Sequence, residues 1–360
     1  MHRISKRLLV RIILVLLICS VALIGRAVAQ QSSTASEIPI FAADDMLPVM
    51  LFTDFDVVFA DRGDSPAEHP GSLVYIEESS AHIEPPAQIA DIQIRVRGNF
   101  RKNENHCNFP PLRLNFKKKA VEETIFEGLD KVKLVTHCQD WEQAYNDRVI
   151  LEYLAYKIYN VITPYSFNVR LLEVTYARDK DDDGRTRFGF LIEDDDDMAA
   201  RNGGEISKTP LFHQDSTDID QVTRLSIFQY LIGNTDWSVT AQHNIRLIEV
   251  PGQAKPIPVP YDFDWSGLVN APYATPAPNL RMESVRERRY RGYCRPLEEL
   301  QPHFDVFLAH REEIEALVDS LDMTSARYRK QARQYIAQFY KDITKTRRKK
   351  RAFVKFCRKD

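Results

Sequence analysis

The amino-acid sequence predicts an α+β protein in which a small β-rich lobe packs on a mainly helical lobe. After the N-terminal segment, the first half contains short runs of alternating apolar and polar residues bounded by Pro, Gly and Asp, a pattern typical of strands. The second half carries its apolar residues at helical spacing. The order of sheet, one helix, hairpin and then helices favours the α+β class.

The N-terminus has the order of a secretory signal peptide over residues 1–29. Basic residues including Arg3 and Arg7 precede an apolar stretch over 12–24, and small residues lead up to a cleavage site after Ala29. An uncleaved signal anchor is the alternative, but the apolar run is shorter than the roughly 20 residues that span a bilayer. We therefore expect an exported protein, periplasmic or extracellular, with no transmembrane helix in the mature chain.

Composition changes along the chain predict the domain boundaries. Residues 30–45 begin with a Ser/Thr/Gln-rich stretch and are expected to form a linker. The β-rich lobe with one helix is expected over 46–197, and the helical lobe with the catalytic and metal-binding loops over 198–345. A basic tail follows over 346–360.

Residue periodicity places the individual elements. The clearest strands lie near 92–97 and 112–117, where apolar residues alternate with Arg, Lys, Asn and Gln, so each strand has an apolar inner face and a cationic outer face. A third strand is expected over 131–136. The same reasoning predicts a helix from Asp147 to Pro164, a hairpin over 168–176 and 187–193, a helix over 218–232 and two amphipathic helices within 306–340.

Four cysteines remain once the predicted signal peptide is removed, and in an oxidising compartment their default state is disulfide-bonded. Four cysteines allow three pairings. We favour Cys107 with Cys138, because they flank a strand-like stretch, and then Cys294 with Cys357. A metal site is disfavoured because no CxxC or His-rich spacing accompanies them.

The charge balance limits the partners. Lys+Arg 49 against Asp+Glu 51 gives a formal charge of −2, so the surface as a whole is not a polyanion-binding field. The segment 345–359 is strongly basic and could contact an anionic surface. No nucleic-acid recognition motif accompanies it, so we interpret it first as a solvated or disordered extension and second as an electrostatic docking segment.

An acidic run in the predicted hairpin turn has the spacing of half a calcium loop. Asp179, Asp181 and Asp183 alternate before Gly184, but Phe190 stands where the bidentate Glu would be expected. Calcium is therefore a possible ligand, and a plain acidic hairpin tip is the favoured interpretation.

A second constellation has the layout of a phosphoryl-transfer site. Asp236 follows a helix in the run Gly-Asn-Thr-Asp-Trp, Asn244 comes a few residues later, and Asp262 and Asp264 flank an aromatic residue after an intervening strand pair. In such sites one carboxylate orients the hydroxyl nucleophile, while the Asn and the later Asp hold magnesium over the phosphates. Each piece alone is a common loop, and the order and spacing together favour the functional interpretation.

The same order of motifs resembles the CotH kinase family, secreted or spore-coat proteins with an atypical protein-kinase-like fold. The resemblance covers roughly residues 91–267. The residues that carry it are Ile94-Arg95-Val96-Arg97-Gly98-Asn99, Leu112-Arg113-Leu114-Asn115-Phe116-Lys117, Asp147-Arg148, Gly189-Phe190-Leu191-Ile192-Glu193-Asp194, Gly233-Asn234-Thr235-Asp236, His243-Asn244 and Pro260-Tyr261-Asp262-Phe263-Asp264.

The resemblance implies a bilobal kinase-like fold that uses ATP and Mg²⁺. It implies Asp236 as the catalytic carboxylate, Asn244 and Asp262 as magnesium ligands and Asp264 as an assisting group. It also implies that the segment 191–194, with Glu193, meets the nucleotide base.

The chain departs from the family pattern at the residues that bind phosphate. Phe109-Pro110-Pro111 stands where the family usually has a Lys pair, and no Gly-rich loop is present. Arg97, Arg113 and Lys117 on the exposed strand face are the candidate phosphate-binding cations, and Glu152 on the predicted helix could pair with one of them.

Two hypotheses follow for the function. The first is an exported phosphotransferase that uses ATP and Mg²⁺ and acts on a hydroxyl of a protein or surface polymer. The second is a non-catalytic kinase-like binding protein, a pseudokinase or surface adhesin, with calcium as a possible stabilising ion. Scarcity of ATP outside the cytoplasm favours the second, and the joint presence of Asp236, Asn244, Asp262 and Asp264 favours the first.

Overall fold

The structure is a computed structural model that describes residues 38–75, 87–140, 142–210 and 213–359. The predicted signal peptide and residues 30–37 of the predicted linker lie outside these residues. Its main sheet is a closed barrel of seven strands in the order β1-β2-β3-β4-β5-β7-β6. The strands are β1 (Leu47–Phe52), β2 (His69–Tyr75), β3 (Ala87–Val96), β4 (Leu112–Asn115), β5 (Lys131–Val135), β6 (Val169–Ala177) and β7 (Arg185–Ile192).

A second sheet of three short strands and a set of helices complete the described part of the chain. The short sheet has the order β10-β9-β8. Its strands are β8 (Glu205–Ile206), β9 (Ile245–Glu249) and β10 (Ile257–Pro260). The α-helices are α1 (Phe55–Ala60), α2 (Lys118–Val121), α3 (Gln143–Ile162), α4 (Asp195–Arg201), α5 (Ile219–Ile232), α6 (Leu297–Ala309), α7 (Arg311–Asp319), α8 (Ala326–Thr344) and α9 (Thr346–Lys349), and a π-helix spans Lys350–Lys355.

The expectation of a bilobal, kinase-like fold is wrong, because the sheet closes on itself. β6 pairs in parallel with β1, from Leu47 opposite Leu172 to Phe52 opposite Ala177, and β7 pairs with both β6 and β5. The expected hairpin, β6 with β7, therefore lies between β5 and β1 and closes the barrel. Alternation in the sequence predicts a strand and its buried face, but it does not specify the partner strand.

Local predictions agree closely with the elements observed. The inward residues expected on β3 and β4 are buried in the barrel core. The central helix begins at Gln143, slightly earlier than expected, and ends at Ile162, before Pro164. Two helices were expected over 306–340, and three of the described helices, α6 to α8, overlap this range.

Strands β6 and β7 join the barrel to the helices. One face of each strand packs in the barrel core, and the other face packs against the helices. Leu172 and Leu191 belong to the barrel core, whereas Leu171 and Phe190 pack into the larger core formed around α3 and the C-terminal helices. The predicted domain boundary after Asp197 falls inside α4.

Both favoured disulfides are present, Cys107–Cys138 and Cys294–Cys357. The basic C-terminal segment is not a disordered extension: Phe353 within it is fully buried. The end of the expected linker is also packed, since Ile40 is buried in the barrel core. No helix among the described residues is both long enough and apolar enough to cross a membrane.

Candidate functional site

The loop after α5 is shaped by its first residues and presents Asp236. Gly233 ends the helix in the left-handed region at φ 68°, and a Cβ at this position would collide with the Tyr335 hydroxyl. The buried Asn234 then accepts a hydrogen bond from the Asp236 backbone N–H at 2.9 Å. The Asp236 side chain keeps 37% of its surface exposed, so it can meet a substrate.

Two residues immediately before β9 fix the Asp236 carboxylate. The Asn244 amide donates to the Asp236 side chain at 3.0 Å and to its carbonyl at 2.8 Å. His243 Nε2 lies 2.9 Å from the other carboxylate oxygen. Asn244 itself takes a left-handed backbone conformation at φ 53°, which Asn tolerates better than most residues. Asp236 is therefore held in one orientation.

The loop after β10 carries the second pair of carboxylates. Asp262 has φ 62°, and its backbone N–H donates to the hydroxyl of Tyr156 on α3 at 2.8 Å. Asp264 is buried and accepts a hydrogen bond from the Tyr273 hydroxyl at 2.8 Å. Burial, and then the neighbouring Asp262, raise the pKa of Asp264 to about 7.

Two partly buried arginines, Arg97 and Arg101, lie near enough to these carboxylates to influence them. Arg101 lies 3.8 Å from Glu152 of α3 and donates to the carbonyl of Thr136. Burial and the nearby Asp264 hold the pKa of Glu152 well above its usual range, while Arg101 opposes the shift. Glu152 thus pairs with a cation as predicted for this helix, but the partner is Arg101 and none of the three cations we expected.

Arg97, immediately after β3, is the candidate phosphate-binding cation that the structure places beside Asp262. Burial lowers the pKa of its guanidinium, and Asp262 is the largest opposing influence. Among the described residues no carboxylate oxygen lies within 4.0 Å of its nitrogens. Arg97 and Asp262 are therefore near enough to interact electrostatically, but they form no direct ion pair.

The other predicted cations and Glu193 lie elsewhere. Lys117 forms an exposed ion pair with Asp91 at 3.3 Å. Arg113 stands opposite Lys133 on the barrel and influences Arg97, but it makes no contact with the carboxylates of the site within the described residues. Glu193 is buried in an ion pair with Arg201 at 2.9 Å, so its carboxylate is not available to a nucleotide base.

A network that the sequence did not predict joins the barrel to the site. Lys133 of β5 is buried and forms an ion pair with Asp195 at 2.6 Å. Arg246 of β9 binds the other oxygen of Asp195, also at 2.6 Å, and donates to the Tyr261 hydroxyl at 2.7 Å. Burial lowers the pKa of Lys133, and Asp195 opposes that effect. The network fixes the start of the Asp262 loop.

Arg291 supports the Asp236 loop from behind. Its guanidinium donates to the carbonyls of Thr235 and, at 2.6 Å, of Trp237, the residues on either side of Asp236. It also lies over the Trp237 ring, 5.5 Å from the centroid. Arg291 is far from Asp236 in sequence and belongs to no motif, so only the fold reveals the contact.

The acidic hairpin tip is held by local turn hydrogen bonds. Asp179 accepts from the backbone of Asp181, and the neighbouring Asp182 accepts from Arg178 and Gly184, as in ordinary turns. In the described ranges, no three or more His, Cys, Asp or Glu side chains form a group that could hold a metal ion by themselves.

The site therefore consists of an oriented carboxylate, two further carboxylates and two partly buried guanidinium groups, contributed by the barrel, α3, the short sheet and the loops between them. No protein-family model matches the chain, and no curated protein matches it. The class that fold and site define is an α+β protein with a closed seven-stranded barrel and a mixed-charge cluster beside it. The resemblance to the CotH kinase family rests on the quoted motifs alone.

Proposed function

We propose that this protein is a phosphotransferase that uses ATP and Mg²⁺ to phosphorylate a hydroxyl of a protein or surface polymer. The observation that carries the proposal is that Arg97 and Asp262, both partly buried, interact electrostatically without a direct ion pair. Asn244, which holds Asp236, accepts a backbone hydrogen bond from Tyr261, the neighbour of Asp262. A phosphate with a bound cation is complementary to the pair of Arg97 and Asp262, because the guanidinium binds phosphate oxygens and the carboxylate binds the cation.

The roles follow from the chemistry of each group. Asp236, held by Asn244 and His243, accepts a hydrogen bond from the attacking hydroxyl and orients it. Arg97 binds phosphate oxygens, and Arg101 favours the ionised forms of the buried Glu152 and Asp264. Positioning and charge neutralisation supply most of the acceleration in phosphoryl transfer.

The donor set fits Mg²⁺ as a cation shared with phosphate. Asp262 and Asp264 supply carboxylate oxygens, and the Asn244 side-chain oxygen remains available because its amide nitrogen makes both contacts to Asp236. Mg²⁺ is commonly bound through one or two carboxylates, with phosphate and water completing the shell. When bound, the ion neutralises the phosphate charge.

The proposal includes export to an oxidising compartment. Its support is the pair of disulfides together with the signal-like N-terminal sequence. An exported phosphotransferase needs a nucleotide outside the cytoplasm, and ATP is therefore added in the binding and transfer assays.

Thermal stability in the presence of ATP and Mg²⁺ tests the binding step. Saturation at about 100 times the dissociation constant stabilises the native state by about 2.7 kcal/mol. We expect the shift to require both ATP and Mg²⁺ and to disappear in Asp262→Asn and Arg97→Ala. The exposed residues Asp181 and Lys117 offer matched controls, because Asp181→Asn and Lys117→Ala should keep the full shift.

Transfer of radiolabelled γ-phosphate to the protein itself or to water tests catalysis. We expect Asp236→Asn to reduce turnover by at least a hundredfold while nucleotide binding persists. Binding without measurable turnover would instead support the non-catalytic binding protein. Absence of an ATP- and Mg²⁺-dependent shift in the folded wild-type protein would refute the phosphotransferase.

A further inference from the structure

The basic C-terminal segment, residues 345–359, is a folded and strongly cationic surface. It contains nine Lys and Arg residues and neither Asp nor Glu. Phe353 anchors it in the core, and the Cys294–Cys357 disulfide closes it. Backbone hydrogen bonds from Cys294 to Arg358 and from Arg358 to Gly292 fix its end. These contacts hold the cations on a defined surface.

Exposed apolar side chains lie among these charges. Val354 is 39% exposed and Phe356 40%, and they are two of the four large hydrophobic side chains exposed in the described part of the chain. Cationic groups of Arg289, Arg351 and Lys355 lie 5.4 to 5.7 Å from the Phe356 ring centroid. Exposed apolar groups within a basic patch indicate a partner that is both anionic and apolar.

A pocket of about 470 Å³ beside Phe356 offers a place for an anionic headgroup. Arg289 and Arg351 line it, and Arg289 Nε is buried with no hydrogen-bond partner. The pocket also contains two carboxylates, of which Asp342 is already bound by Arg348 at 3.1 Å, while Glu287 is the other. Arg289 and Arg351 have no ion pair among the described residues, so their donors can bind phosphate.

We propose that this surface docks the protein on an anionic phospholipid bilayer. Phe356 and Val354 enter the headgroup region, the pocket with Arg289 and Arg351 takes a lipid phosphate, and the remaining cations are attracted to the negative surface. A bilayer fits better than an anionic polymer, because a polymer would gain little from the exposed Val354 and Phe356. The inference does not depend on the proposed phosphotransferase activity.

Co-sedimentation of the purified protein with vesicles tests the proposal, without nucleotide. We expect binding to vesicles of phosphatidylcholine with phosphatidylglycerol, little binding to phosphatidylcholine alone, and loss of binding at high salt. Arg351→Ala should weaken binding about fivefold, the effect of one surface charge. Phe356→Ser should weaken it at least as much although the charge is unchanged.

Matched controls separate this surface from general effects. Val57→Ser removes an exposed apolar side chain elsewhere, and Lys330→Ala removes an exposed cation of α8. Both should bind vesicles like the wild type, and unchanged melting temperatures would show that all variants fold. Failure of the wild type to bind the anionic vesicles would overturn the proposal. So would unchanged binding of Phe356→Ser together with equally strong binding to inorganic polyphosphate, which would identify an anionic polymer surface.

Discussion

The buried His137 makes stability depend on pH. It is 1% exposed, its Nε2 lies 3.1 Å from Asp140, and burial followed by Arg187 and Arg101 lowers its pKa to about 3. Between pH 6.5 and 3 the unfolded chain binds a proton at this position and the folded chain does not. This contribution is therefore present above pH 6.5 and is lost as the pH falls, by about 1.4 kcal/mol per pH unit.

Replacing the imidazole should remove this dependence. His137→Phe keeps an aromatic ring beside Phe109, whose centroid lies 4.3 Å away, and Asp140 retains its arginine partners. We expect the melting temperature of the variant to fall less than that of the wild type between pH 7 and pH 5. His310→Gln, at an exposed position, is the control and should follow the wild type. Parallel curves for His137→Phe and wild type would contradict the assignment.

Arg291 is a positioning residue for Asp236. Arg291→Ala leaves two carbonyls without their donor, which costs about 1 to 3 kcal/mol of stability, and it frees the loop that carries Asp236, the proposed catalytic carboxylate. We expect kcat for phosphoryl transfer to fall at least tenfold while KM for ATP changes little, because the Arg97 side of the site is intact. An equal loss of kcat in Arg295→Ala, whose ion pair with Asp215 lies outside the site, would show that the effect is only structural.

At the scale of elements, barrel closure depends on close approach of three strands at Gly71. The register of β2 and β3 shifts between Gly71 and Leu73, and a Cβ at Gly71 would lie 2.8 Å from the Phe52 carbonyl of β1 and 2.5 Å from Ile94. Gly71→Ala should therefore destabilise the protein by about 1 to 3 kcal/mol in urea unfolding. Gly63→Ala, where nothing lies within 4 Å, is the control. Equal urea midpoints for Gly71→Ala and Gly63→Ala would contradict this prediction, because the barrel would then tolerate a wider separation of β1 and β2.

The elements were more predictable than their arrangement. Strands near Ile94 and Leu114 and the helix ending before Pro164 follow from periodicity and breakers, since these signals are local. The parallel pairing of β1 with β6 joins segments more than a hundred residues apart, and no local pattern encodes it. For this reason the sequence does not predict the closed barrel.

The candidate site shows the same division. Asp236 and Asn244 lie close together in sequence, and they are hydrogen-bonded in the structure. Arg101 and Lys133 reach their acidic partners only through the fold. Their one signal in the sequence is a cation on or beside a predicted strand, and this signal is shared by Lys117, which faces solvent.

At the scale of the whole molecule, the end of the chain is tied to the segment that carries Arg291. The Cys294–Cys357 disulfide closes a separation of 63 residues, and the hydrogen bond from Arg358 to Gly292 lies next to Arg291. Greater mobility of the C-terminus should therefore have two effects. It should disturb the proposed bilayer-docking surface directly, and it should disturb the Asp236 loop through Arg291. We therefore expect this one covalent bond to couple stability, the proposed docking and the positioning of the proposed catalytic carboxylate.

Removing this disulfide tests that coupling. A loop of this length predicts a loss of about 4 kcal/mol, or roughly 5 to 10 °C in melting temperature, for the double variant Cys294→Ser with Cys357→Ser. We expect vesicle binding and phosphoryl transfer to weaken as well, even at temperatures where circular dichroism shows a folded protein. The matched variant Cys107→Ser with Cys138→Ser removes the disulfide that closes a separation of 31 residues. It should lose stability without weakening vesicle binding. Vesicle binding at the wild-type level in Cys294→Ser with Cys357→Ser would show that the C-terminal segment needs no covalent anchor, because the buried Phe353 and the backbone hydrogen bonds of Arg358 would then hold it in place.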